Sequence, residues 1–204
     1  MKKITLLFAV VIALTTCLIA QNTNKEIEAV AKSYEEEQYG EYEKAVATIL
    51  TVYDPQSYVL NLRLGWLTYL DGDYTKSMNY YKKAIEIAPN SIEARLGYVY
   101  PAAELENWED VIAKYKEILK LDPANSLANY RLGLIYYNRK EFNQAHDYTR
   151  KVVALYPFDY DSVILLAWIK LSIGEVSEAK ALFHRALLYD SNATSALEGL
   201  EKIK

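Results

Sequence analysis

The sequence predicts an all-α fold built from antiparallel helix pairs repeated in line. Three observations carry this prediction. The stretches LGWLTYLDGDY (Leu64 to Tyr74) and LGLIYYNRKEF (Leu132 to Phe142) open alike, close on an acidic residue followed by an aromatic, and are offset by 68, which is twice 34. Pro89, Pro123 and Pro157 are themselves 34 apart, each after an amphipathic run (AIEIAP, EILKLDP, VVALYP), and the frame continues to Ser191 without the proline. Half of the 204 residues are hydrophobic, and Gly 7 with Pro 5 is too little for a low-complexity chain.

The first twenty residues stand apart from this pattern. Lys2 and Lys3 precede an uncharged apolar run from Ile4 to Ala20, the layout of a secretory signal peptide over 1–20, with cleavage expected between Ala20 and Gln21. Two other readings stay open at this point. The run is near the lower limit for spanning a bilayer, so it could serve as an uncleaved membrane anchor. Leu14-Thr15-Thr16-Cys17 also resembles a bacterial lipoprotein box with a lipid on Cys17, although Thr16 departs from the very small residue that box requires. The expected location is export, periplasmic or secreted.

Cys17 is the only cysteine, so a chain cut at Ala20 has no thiol for a disulfide, a nucleophile or a metal. Without Lys2 and Lys3, 21 basic residues face 27 acidic ones, a net charge of −6. That balance argues against nucleic acid or anionic lipid as a partner of the mature chain.

After a short linker at 21–25, the array is read as units of about 26–57, 58–91, 92–125, 126–159 and 160–193. The second unit carries Leu64-Gly65, Gly72-Asp73-Tyr74, Tyr81, Ala84 and Pro89. The fourth has Leu132-Gly133, Tyr136, Phe142, Ala145 and Pro157, and the fifth Leu166-Ala167, Gly174, Ala179, Phe183 and Ala186, with Lys170 where a tyrosine is expected. The first is weaker, keeping Gly40-Glu41-Tyr42, Ala45 and Pro55. This pattern resembles the tetratricopeptide repeat, Trp-x2-Leu-Gly-x2-Tyr, then Ala-x3-Phe, then Pro. The resemblance implies a right-handed solenoid in which each unit has two helices of about 13 residues, roughly 20 Å long.

The residue types suit that architecture. Gly65, Gly133 and Ala167 on the first helices are expected to face Ala84, Ala145 and Ala179 on the second, so that the backbones approach closely. Gly72 and Gly174 supply the positive φ that ends the first helix, and proline closes the second. Residues 194–204, with Leu197, Leu200 and Ile203 at spacing three, read as a capping helix. The third unit keeps Trp108, Tyr115 and Pro123 but departs in its first helix: Leu96-Gly97 sits two places early, Val99 takes the small position, and Pro101 falls inside the helix. Pro101 is expected to kink it, with a pocket beside Tyr100 as the functional alternative to a tolerated kink.

No phosphate loop, His-Glu-x-x-His, Gly-x-Ser-x-Gly or dinucleotide fingerprint occurs, so no enzymatic activity, cofactor or metal is expected. His146 and His184 fall at different repeat positions on second helices. Carboxylate runs such as Glu35-Glu36-Glu37 read as solvated helix faces, and Asn192-Ala193-Thr194 has the form of a glycosylation sequon.

The resemblance further implies a concave face lined by positions 2, 5, 9, 12 and 13 of each first helix. Carried over, these include Leu62, Trp66 and Tyr69; Leu96 and Tyr100; Tyr130, Leu134 and Tyr137; and Ile164, Trp168 and Leu171, with Arg63 and Arg131 at position 6 beside them. Trp66, Tyr100, Leu134 and Trp168 at position 9 do not suit a clamp for a chaperone's C-terminal carboxylate. The expected function is a non-catalytic protein-interaction scaffold of the cell envelope that binds an extended segment or helix in an aromatic-lined groove. The alternative is a non-protein envelope ligand such as glycan, held by the same rings.

Overall fold

The computed structural model describes residues 23–203, and the leader, Cys17 and the Ala20–Gln21 junction lie outside them. The described chain is all-α, a helical-repeat solenoid without strands among those residues. The first helix, α1, occupies residues 23–38, so residues 23–25 are helical where the sequence predicts linker. It is followed by α2 (Tyr42–Leu50), α3 (Tyr58–Leu70), α4 (Tyr74–Ile87), α5 (Ile92–Glu104), α6 (Trp108–Leu121), α7 (Ser126–Asn138), α8 (Phe142–Leu155), α9 (Tyr160–Ser172), α10 (Val176–Tyr189) and α11 (Thr194–Glu201). None of the described helices is long and apolar enough to cross a membrane. The chain divides into two compact units, one ending at Trp108 and the other beginning at Glu109.

The starts of the first helices repeat because their caps repeat. Ser57, Ser91, Asn125 and Asp159 are spaced by 34, and each accepts a bond from the backbone N–H three residues on. Such a cap satisfies one of the donors that a helix start leaves unpaired, contributing about 1 kcal/mol. The loops before two of these helices share a second device. Asn61 donates through Nδ2 to the carbonyls of Pro55 and Ser57, and Asn129 donates likewise to those of Pro123 and Asn125. Pro55 precedes Pro89 by the same 34 and therefore belongs to the proline frame.

Each first helix ends on a residue in the left-handed region: Gly40 (φ 74°), Gly72 (84°), Glu106 (55°), Lys140 (62°) and Gly174 (87°). The requirement is positional, so it persists in the third and fourth units, where no glycine stands.

In the first compact unit α5 packs on α3 and α4, and α2 packs on α3. The nearest neighbour of Gly65 is the ring of Tyr81: a Cβ built on Gly65 would lie 2.9 Å from Tyr81 Cδ2. The same ring presses on Gly97, where a Cβ would meet Tyr81 Cδ1 at 2.7 Å. Gly97 is thus not a displaced copy of the Gly65 position but the partner of an aromatic on the preceding helix. Helix α5 runs through the buried Pro101 to Glu104.

The acidic run on α1 departs from a solvated face. Glu36 is only 4% exposed, its oxygens lack hydrogen-bond partners among the described residues, and Lys32 and Lys44 each approach to 3.8 Å. Glu37 binds Arg63 and accepts from Trp66 Nε1 at 2.7 Å. The cause is tertiary: α2 through Lys44, and α3 through Arg63 and Trp66, meet carboxylates that a helix seen alone would leave in water.

In the second compact unit Gly133 lies against Thr149, with the Ala145 carbonyl 3.5 Å from the place of a Cβ. Phe183 fills the space beside Gly199, so α11 closes the core formed with Leu166, Ala167, Ala179 and Leu182, with Leu200 and Ile203 packed against it. Lys170, at the tyrosine position, sends its ammonium to Glu175 and to Glu178, the latter at 2.9 Å.

Candidate functional site

A cavity in the first compact unit lies between first helices. It measures about 600 Å³ and is walled by Val30 and Tyr34 of α1, Val59, Leu62, Arg63 and Trp66 of α3, Tyr81 of α4, and Ile92, Glu93, Leu96, Gly97 and Tyr100 of α5. Its position follows from the repeat. Position 5 and position 9 side chains lie one turn apart on the same helix face, so Leu62 with Trp66 and Leu96 with Tyr100 line one trough. Val30 and Tyr34 precede Leu62 and Trp66 by 32, the same interval as Gly40 to Gly72.

One end of the trough is aromatic. Trp66 lies 5.6 Å from Tyr69 and 6.4 Å from Tyr100, and Tyr69 lies 5.7 Å from Tyr100 and 5.8 Å from Tyr74, all between ring centroids. Tyr69 does not line the cavity; it backs the rings that do. Burial, followed by the nearby Glu104 carboxylate, raises the Tyr69 phenol above its ordinary range, and burial pushes the Tyr81 phenol far up. These hydroxyls stay neutral donors at any physiological pH. Tyr100 is half exposed, so its ring offers a free face.

Arg63, expected beside the groove at position 6, is tied into the fold. Its side chain is only 5% exposed, Nε donates to Ser33 Oγ at 2.9 Å, Nη1 pairs with Glu37, and the guanidinium lies 3.8 Å from the centre of the Tyr34 ring. Nη2 has no partner among the described residues. Glu93 enters from the opposite wall, where its Oε2 accepts from the Tyr58 hydroxyl at 3.1 Å.

The second compact unit distributes its predicted residues differently. Tyr130 and Arg131 line a shallower cavity of about 410 Å³ with Leu127, Val152, Tyr156 and Asp161, and Leu134 and Tyr137 are half-buried outside it. Ile164, Trp168 and Leu171 pack against the core that α11 completes. Trp168 donates from Nε1 to Ser195 Oγ at 2.8 Å, meets Phe183 edge-on at 5.2 Å, and lies under Lys202 at 5.2 Å. Its ring is held by the last helix.

Sequence reasoning missed Val30, Tyr34, Val59, Ile92 and Glu93. Val59 and Glu93 occupy position 2 of their helices, and Val30 and Tyr34 occupy positions 5 and 9 of the first repeat once its shorter spacing of 32 is known. The signal was present, but the first repeat's register was not. No group of three or more His, Cys, Asp or Glu that could hold a metal occurs among the described residues.

Comparison with known proteins meets the same repeat. Residues 59–91 and 126–159 each match a profile described as Tetratricopeptide repeat. The chain is 33% identical over 91 residues to TPR repeat-containing protein MJ1428 of Methanocaldococcus jannaschii, a match covering 42% of this chain and 16% of that protein. The chain thus spans well under half the length of that curated relative. A tetratricopeptide repeat protein from Parabacteroides merdae shares the fold at a TM-score of 0.75 and 18% identity, over 88% of this chain and 72% of that one. YrrB, described as a TPR protein with an unusual peptide-binding site, shares it at 0.71 and 14%, over 91% and 97%.

Proposed function

Because this chain belongs to the tetratricopeptide-repeat family, we propose that it is a non-catalytic interaction scaffold that receives a polypeptide segment in the trough formed by α1, α3 and α5. The observation that carries this reading is the cavity of about 600 Å³, walled by apolar and aromatic side chains with Arg63 and Glu93 as its charged groups. Ligand sites have this composition and a volume of about 300–1,000 Å³. Tryptophan and tyrosine bring large contact area at small entropy cost and dominate binding hot spots. The location we propose is the cell envelope, on the strength of the Lys2-Lys3 and Ile4–Ala20 leader.

A photo-crosslinking residue in place of Leu62 tests the trough, with Lys82, exposed on α4, as the control position. In extract of the source cells, capture of a discrete polypeptide at Leu62 and not at Lys82 is the expected result. Equal capture at both positions, or none at Leu62, refutes the trough as the docking surface.

A further inference from the structure

The trough has a chemical preference that its apolar walls alone do not set. Three observations bear on it. The first is that Arg63, which lines the cavity, is held by Ser33 and the Tyr34 ring and so forms a fixed edge of the wall. The second is that the positive charge of Arg63 is already met by Glu37. The third is the charge of the surroundings: residues 23–108 hold eight Lys and Arg against fourteen Asp and Glu, a net of −6, whereas residues 109–204 hold thirteen of each, a net of zero. The whole negative excess beyond the leader thus lies in the unit that carries the cavity.

We infer that the cavity binds a large apolar side chain of a basic peptide, with Glu93 pairing with a flanking Lys or Arg. This rests on the reading of the trough as a peptide site. An anionic group is a poor occupant: the guanidinium is neutralised, and the surrounding carboxylates repel it. Glu93 is exposed, so a flanking cation meets its carboxylate without burial of an ion pair, and the contact adds selectivity and salt dependence more than affinity.

The test is a fluorescence-polarisation titration of the full chain with three blocked peptides: a phenylalanine flanked by lysines, a phenylalanine flanked by glutamates, and an alanine flanked by lysines. The lysine-flanked phenylalanine peptide is expected to bind about tenfold tighter than either of the others, with affinity falling as salt rises. Leu96→Trp fills the cavity and should weaken that peptide at least about tenfold. Glu93→Gln should lower the preference for lysine over glutamate by roughly threefold or more.

Equal binding of the lysine- and glutamate-flanked peptides, indifference to Leu96→Trp in a folded variant, or no binding of the lysine-flanked phenylalanine peptide overturns the inference. If crosslinking at Leu62 still captures a polypeptide in that case, the trough reading stands and only its preference is wrong. If Leu62 captures nothing, both fail.

Discussion

The ring of Tyr81 is clasped between two glycines on successive first helices, Gly65 of α3 and Gly97 of α5. A Cβ on either would stand within 3 Å of ring carbons. Tyr81 is 3% exposed, and retreat from one glycine drives the ring toward the other.

Gly97→Ala should therefore destabilise the chain by about 1–3 kcal/mol through overpacking. Tyr81→Thr, which places there the residue type found at Thr149, should recover part of the loss in the double variant. Thermal unfolding of the three variants checks it, and purely additive losses would show that the two residues do not compete for one space.

Glu106 and Lys140 occupy the left-handed position that Gly40, Gly72 and Gly174 fill elsewhere. Glu106→Gly and Lys140→Gly should each stabilise by about 0.5–1 kcal/mol, because glycine adopts that φ without a Cβ penalty. Gly72→Ala should lose a similar amount. Denaturant midpoints that move in the opposite sense would refute the positional account.

Glu36 is buried without hydrogen bonds, yet Lys32 and Lys44 remain mostly exposed and solvated without it. Removing the carboxylate leaves no stranded charge, so Glu36→Leu should be neutral or stabilising by about 1 kcal/mol. A loss above roughly 2 kcal/mol in urea unfolding would mean that the two lysines contribute real pairing energy.

Trp168 and Trp66 share a repeat position but not a role. Trp168→Ala removes the contacts to Phe183, Ser195 and Lys202 that hold α11, and should cost about 3 kcal/mol of stability with early loss of hydrogen-exchange protection in α11. Trp66→Ala should weaken peptide capture in the trough by about 2 kcal/mol, roughly thirty-fold. Unchanged protection of α11 in Trp168→Ala would return that ring to the set of free groove residues.

The repeat itself was legible because it is written in local chemistry. A proline after each of the first four second helices and small residues at fixed offsets act within one helix or one loop, so periodicity alone reveals them. The paired helices and the trough-facing positions of Leu62, Trp66, Leu96 and Tyr100 follow from that frame. What covers a residue from a neighbouring helix does not. Glu36 and Arg63 look like surface charges on their own helices, and only tertiary packing buries them and joins Arg63 of α3 to Ser33 and Glu37 of α1. The same reason separates the two tryptophans: α11 lies against Trp168 and bonds its nitrogen, whereas Trp66 keeps an apolar trough before it. Burial is a property of two surfaces, and a single stretch of sequence specifies only one of them at a time.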